Sequence, residues 1–112
     1  MLPDWAMKMN CAVTVCDADC KIIYMNEKSR NTFAEGTDRL IGTNLMECHP
    51  EHAQKTILRL LAEGGVNAYT IEKLGKKKMI YQTAWRNADG CVGGLVEISM
   101  VIPEDMPHYI RK

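Results

Sequence analysis

CAVTVCDADCKIIYMN, residues Cys11 to Asn26, is the stretch on which the reading of this chain turns. CAVTVC is short and rich in alanine, valine and threonine, and KIIYM is short and rich in isoleucine, tyrosine and methionine. Asp17-Ala18-Asp19-Cys20 between them is turn chemistry. The stretch is a tight β-hairpin that ends on an asparagine.

Downstream, EKSRNTFAEG has Phe33 and Ala34 as its only apolar anchors and reads as a short helix stopped by Gly36. Thr37 to Gly42 reads as another brief helical turn, and Thr43 to His49 as a connector. Pro50 opens the longest helix, which runs to about Glu63 and stops at Gly64-Gly65. Ala53, Ile57, Leu60 and Leu61 share one of its faces. From Val66 the apolar period changes from about 3.6 to 2. VNAYTIEK, KMIYQTAWR and GGLVEISMVI are three strands joined by turns at Leu74-Gly75 and Asn87-Ala88-Asp89-Gly90.

Upstream, residues 1–10 form a short N-terminal cap segment, in which Asp4 caps a helical turn or two carrying Trp5 and Met9. Residues 11–112 read as a single domain. The order β-β-α-α-α-β-β-β gives an antiparallel sheet with helices on one face, an α+β fold.

Composition narrows the function. Hydrophobic residues make up 46% of 112, enough for a core at this size. Fourteen basic residues balance fourteen acidic ones, which argues against binding driven by charge to nucleic acid or membrane. There is no run of 18 apolar residues, and MLPDWAMKMN lacks the regions of a signal peptide. The five cysteines are therefore expected as reduced thiols in a cytoplasmic protein, with no structural disulfide between Cys16 and Cys20.

The order of elements and their motifs together resemble a PAS domain, the small sensory module of signalling proteins. The residues that carry the resemblance are Asp17, Ile22-x-Tyr24-x-Asn26, Leu40-Ile41-Gly42-x-Asn44, Gly75-Lys76-Lys77 and Asp89-Gly90. It covers Cys11 to Pro103. It implies a five-stranded antiparallel sheet with a helical crossover on one face, enclosing a pocket. It also implies a sensory or protein-interaction domain in signal transduction, not an enzyme, that binds a small ligand or pairs with another copy and passes a signal to a partner protein. Cys20 stands where many such domains have glycine. A different turn type is expected there, in place of a strained positive φ.

The family's chemistries can be tested on the residues. A flavin photo-adduct needs a cysteine directly after the asparagine of the Gly-x-Asn motif, but Gly42-Thr43-Asn44 is followed by Leu45. Cys48 lies further on and reads as a small apolar packing residue. Some haem-binding members resemble one another in an axial histidine two turns into the main helix, where this chain has Thr56, Ile57 and Leu58. His49 is read first as a cap before Pro50, and a haem or other cofactor sensor using His49 stands as the alternative. Cys48-His49-x-x-His52 is too few ligands for a closed metal site. A small cysteine-dependent enzyme is a further alternative, but no spacing builds a Cys-His dyad. No phosphate-cradling loop is visible, and Lys76-Lys77-Lys78 reads as a solvated turn.

Register counted from Asp89-Gly90 assigns the two faces of the sheet. Ile80, Gln82, Ala84, Leu95, Glu97 and Ser99 turn toward the helices. Met79, Tyr81, Trp85, Val96, Ile98 and Met100 lie on the outer face. A large apolar outer face predicts a homodimer, partly capped by Trp5. The candidate ligand pocket comprises Tyr24, Asn26, Phe33, Leu45, His49, Ile57, Leu61, Gln82, Glu97 and Ser99, with Leu40 as a further wall. Glu97 is expected to meet a polar ligand, a water, or a lysine or arginine from the helices.

Overall fold

The computed structural model describes residues 4–112. After a helical turn, α1 (Asp4–Met7), strands β1 (Ala12–Asp17) and β2 (Ile22–Met25) form the hairpin. The expected cap by the Asp4 side chain lies outside what the structure describes. Asp17 Oδ1 accepts from the backbone N–H of Asp19 at 2.9 Å and of Lys21 at 3.0 Å. The N–H of Cys20 donates to Asp17 O at 3.0 Å, closing a four-residue turn. In a three-residue hairpin loop, the residue that follows the two central positions of such a turn enters the left-handed region to rejoin the ladder. Cys20 does so with φ 66°, which corrects the expectation of a different turn type. For a residue with a Cβ this costs roughly 1–2 kcal/mol.

Asn26 follows β2 and is completely buried. Its Oδ1 accepts from Val13 N at 2.9 Å and from Ser29 N at 3.0 Å, so it caps helix α2 (Glu27–Phe33) while holding β1. Its Nδ2 donates to Cys11 O at 2.8 Å and Ala6 O at 3.0 Å.

The crossover departs from expectation in one place. Residues 37–42 are irregular, and the helical turn lies instead at Leu45–Cys48 as a 3-10 helix. Asn44 explains the shift, because its Oδ1 accepts from Met46 N at 2.8 Å and caps the turn there. Helix α3 (Glu51–Glu63) follows, with Pro50 at its cap position. Gln54 Nε2 donates to Met46 O and His49 O, tying α3 to the 3-10 turn.

Strands β3 (Val66–Lys73), β4 (Lys76–Arg86) and β5 (Val92–Val101) complete a five-stranded antiparallel sheet of order β2-β1-β5-β4-β3. β4 begins two residues before the expected KMIYQTAWR, so the lysine run belongs to the strand. The register pairs Ile80 with Ser99, Gln82 with Glu97 and Ala84 with Leu95 on the helix side. Ile80, Gln82, Leu95 and Ser99 are buried there. Cys16, Ile22, Met25, Leu45, Ile57, Leu60 and Leu95 form the core between sheet and helices.

The outer face carries Met79 opposite Met100, Tyr81 opposite Ile98 and Thr83 opposite Val96, all half-buried. Trp85 also belongs to this face, but the ring is part of the fold. It lies against Gly93 and Gly94, and its Nε1 donates to Cys16 O at 3.2 Å. Trp5 is 66% exposed, so it covers little. Among the described residues no helix is long and apolar enough to cross a membrane.

Two stability predictions follow from this packing. Asn26→Ala removes four hydrogen bonds and leaves buried backbone groups unpaired, which is expected to lower unfolding free energy by about 3 kcal/mol or more in urea titrations. An unchanged midpoint would show that water replaces the side chain. In Gly94→Ala the new Cβ would run into the Cys16 carbonyl and the Trp85 ring. A loss of about 1–3 kcal/mol is expected by the same measurement.

Candidate functional site

A cavity of about 210 Å³ opens between the helical crossover and the inner face of the sheet. Its apolar walls are Ile22, Met25, Phe33, Leu40 and Leu45, with Thr14, Cys48, His49 and Glu97 completing the lining. The sheet supplies Glu97 from β5, opposite both Thr14 of β1 and Gln82 of β4. His49 comes from the residue after the 3-10 turn.

His49 and Glu97 meet inside. His49 Nδ1 is 2.9 Å from Leu45 O, and a carbonyl can only accept, so Nδ1 carries a proton. Nε2 faces Glu97 Oε2 at 3.4 Å, a long contact that needs a second proton between the two atoms. Gln82 Nε2 donates to the same Oε2 at 2.8 Å, and Asn67 Nδ2 donates to Gln82 Oε1 at 3.0 Å. The hydrogen bond to Glu97 raises the His49 pKa above its ordinary 6.5, against the lowering effect of burial. Burial alone would push the Glu97 carboxyl up. Donation by His49 and Gln82, with the charge on His49, brings it below its ordinary 4.5 instead. Both shifts favour an imidazolium–carboxylate pair. Both donors use Oε2, so Glu97 Oε1 has no protein donor among the described residues while its side chain is only 11% exposed.

The structure brings Phe33, Leu45, His49 and Glu97 together around the cavity, with Gln82 bonded behind Glu97. It does not bring the other candidates there. Tyr24 stands opposite Val15 in the register, on the outer face. A bulge between Val15 and Cys16 interrupts the alternation of β2, so Ile22 and Met25 face inward and Tyr24 faces out. Among the described residues its Oη is buried without a partner. Asn26 has both ends of its carboxamide engaged in the fold. Ile57 is core and Leu61 packs against that core, and neither lines the cavity. Ser99 lines a separate groove. His49 does not cap α3, because both ring nitrogens point back to Leu45 O and Glu97. The protein cation that Glu97 meets is His49, not a lysine or arginine from the helices; a polar ligand or water, also expected for Glu97, is left open by its free Oε1. Cys48 is exposed at the rim and not packed as an apolar residue.

Sequence reasoning missed Thr14, Ile22 and Met25 as lining residues. Their signal was the hairpin's own register, which the bulge concealed. Cys16 and Cys20 are buried free thiols. Burial pushes Cys16 up to about 11 and raises Cys20 as well, which removes both as nucleophiles at neutral pH.

These features define an α+β module, a five-stranded antiparallel sheet with helices over a cavity on one face. The PAS fold family matches residues 7–105, and the chain belongs to it. Comparison with curated proteins returns no match. Among solved structures, a sensory box sensor histidine kinase from Vibrio cholerae superposes with a TM-score of 0.67 at 14% identity, covering 88% of this chain and 86% of that one. The PAS domain of histidine kinase ThkA gives 0.66 at 18% identity, covering 82% and 99%. VqmA bound to DPO, a protein of Vibrio cholerae, gives 0.70 at 10% identity, covering 90% of this chain and 56% of that one. The chain is thus similar to sensory PAS domains of histidine kinases and signalling proteins.

The ion pair sets a pH window. The His49 contribution is complete below its ordinary 6.5 and fades as pH rises through the raised folded value. The Glu97 contribution is complete above its ordinary 4.5 and fades as pH falls through the lowered folded value. The stability difference between the wild type and His49→Gln is therefore expected to peak between 4.5 and 6.5. Denaturation of both proteins across pH checks it, and parallel curves would refute the pairing.

Proposed function

We propose that this PAS domain senses a small, largely apolar molecule that carries a hydrogen-bond donor, held in the inner cavity against Glu97. The observation that carries the reading is the free Oε1 of a nearly buried carboxylate in a cavity whose walls are mostly apolar. A charge there seeks every donor it can find. Oε2 has two, and a ligand N–H or O–H supplies the missing one for Oε1. The structural likeness to VqmA, solved bound to DPO, supports a ligand role for this fold.

The size of the cavity argues for a small occupant. It is below the roughly 300–1,000 Å³ of most ligand pockets. That also argues against haem, as does the engagement of both His49 nitrogens. The same engagement leaves no ring nitrogen to activate Cys48, so the domain works by binding and not by catalysis. Five free thiols suit a reducing, cytoplasmic setting. The half-buried apolar rows of the outer face, centred on Tyr81 and Ile98, pair with a second copy and carry the signal to a partner protein.

A screen of small phenols and N–H heterocycles by protein-observed NMR is expected to yield saturable binders that shift Thr14, Leu45 and Glu97. Such a binder slows alkylation of Cys48, at the rim, and leaves Cys91, exposed and outside the cavity lining, unaffected. Glu97→Gln weakens it by about tenfold or more, the worth of a hydrogen bond to a charge. A screen without binders and with Cys48 unprotected would sink the reading. The pairing is tested by Tyr81→Glu, which leaves Trp85 and its glycines intact. A mass in solution unchanged from the wild type would remove the interface.

A further inference from the structure

The lysine run takes no part in the inner cavity. Lys76 stands opposite Lys73 in the register, and Lys78 stands opposite Val101, on the face that carries Ile80. At this end of the sheet a groove of about 250 Å³ opens. Lys28 and Thr32, one turn apart on α2, Asn10, Lys76, Lys78 and Ser99 supply its polar lining, and β1 and β5 add apolar wall with Ala12 and Val101 among it. It shares no lining residue with the inner cavity.

Two independent observations point to a ligand. The first is charge. Lys28, Lys76 and Lys78 line one groove, and the ion pairs among the described residues are Lys8–Glu27, Arg39–Glu35 and His49–Glu97. Nearby acids are turned elsewhere: Glu27 is held by Lys8, and Glu72 opposes Lys77 on the other face. Lys73 directly opposite Lys76 adds like-charge repulsion, which an anion would relieve. The second is Ser99. It is only 8% exposed, it lines the groove, and its Oγ makes no hydrogen bond among the described residues. The residue is more than nine-tenths buried, but its hydroxyl oxygen reaches the groove surface with no protein partner among the described residues, placed to donate to an occupant.

We propose that this groove binds a small oxyanion ligand, phosphate- or carboxylate-bearing, with Ser99 Oγ donating to it from the floor and the lysines neutralising it. Lysine ammonium groups serve such ligands as point charges with rotatable donors. The site stands independently of the inner cavity and of any ligand there.

Pyrophosphate and citrate, titrated into the full chain at constant ionic strength, test it by amide NMR. Saturable shifts are expected at Thr32, Lys78 and Ser99. Lys78→Gln is expected to weaken binding by about tenfold and Ser99→Ala by severalfold, while Lys55→Gln on α3 leaves it unchanged. Tighter pyrophosphate assigns phosphoryl ligands, and tighter citrate assigns carboxylates; either supports the site. Diffuse shifts across all lysines, equal losses in Lys55→Gln and Lys78→Gln, or wild-type affinity in Ser99→Ala would overturn it. Well-dispersed spectra of each variant separate lost binding from lost fold.

Discussion

One carboxamide holds the N-terminal half together. Asn26 sits between strand and helix with no exposure, and its two polar atoms each make two bonds. It caps α2, fixes the backbone of β1 at Val13 and Cys11, and anchors α1 through Ala6 O. An aspartate offers no donor and a leucine no polar atom, so neither reproduces all four bonds. Because α2 starts where Asn26 puts it, Ser29 reaches Thr14 at 2.6 Å and Ala34 enters the core. The helix then borders both openings on the inner face, Phe33 at one and Lys28 with Thr32 at the other.

The sheet divides its work along its length. Near the crossover, β5 presents Glu97 to the cavity; one inward position further along the strand, Ser99 faces the lysine groove. Strand period places both side chains on one face about 7 Å apart along the strand, yet they serve different openings. On the reverse face the same strand presents Val96, Ile98 and Met100. Gly93 and Gly94 belong to the same economy of space, since the missing side chains are what let Trp85 lie down on the strand and bond to Cys16 O.

Much of the fold was legible because each element announced itself locally. The change of period at Val66, the Asp-Gly turn and the glycine stop after Glu63 located β3 to β5 and α3 to within two residues. Register then put Glu97 and Gln82 inside correctly. What failed needed non-local information. Tyr24 was misplaced by a bulge that only pairing with Val15 reveals. His49 looked like a cap because Pro50 follows it, and nothing in the sequence says that its ring reaches a residue 48 positions away. Asn26 was legible as important, but its donors and acceptors are consumed by backbone that the hairpin brings back only on folding. Ser99 was placed on the right face and in the wrong opening, because alternation gives a face and not a position along the cavity.

The inner ion pair bears on why a cavity exists at all. Replacing a buried ion pair with well-packed apolar residues is often neutral or stabilising. An apolar pair at 49 and 97 would fill space and remove two desolvated charges. This chain instead keeps the carboxylate, holds it with Gln82 and Asn67 behind and His49 in front, and leaves one oxygen uncovered. Packing alone gives no reason for that arrangement. The donors fix the carboxylate's orientation and leave Oε1 without a protein donor, and on the proposed reading such a preorganised acceptor would lose little freedom on binding a ligand. The four-residue chain from Asn67 to His49 also spans β3, β4, β5 and the crossover. A ligand that draws on Glu97 therefore acts on a bond network that already crosses the sheet, from the cavity to its β3 edge.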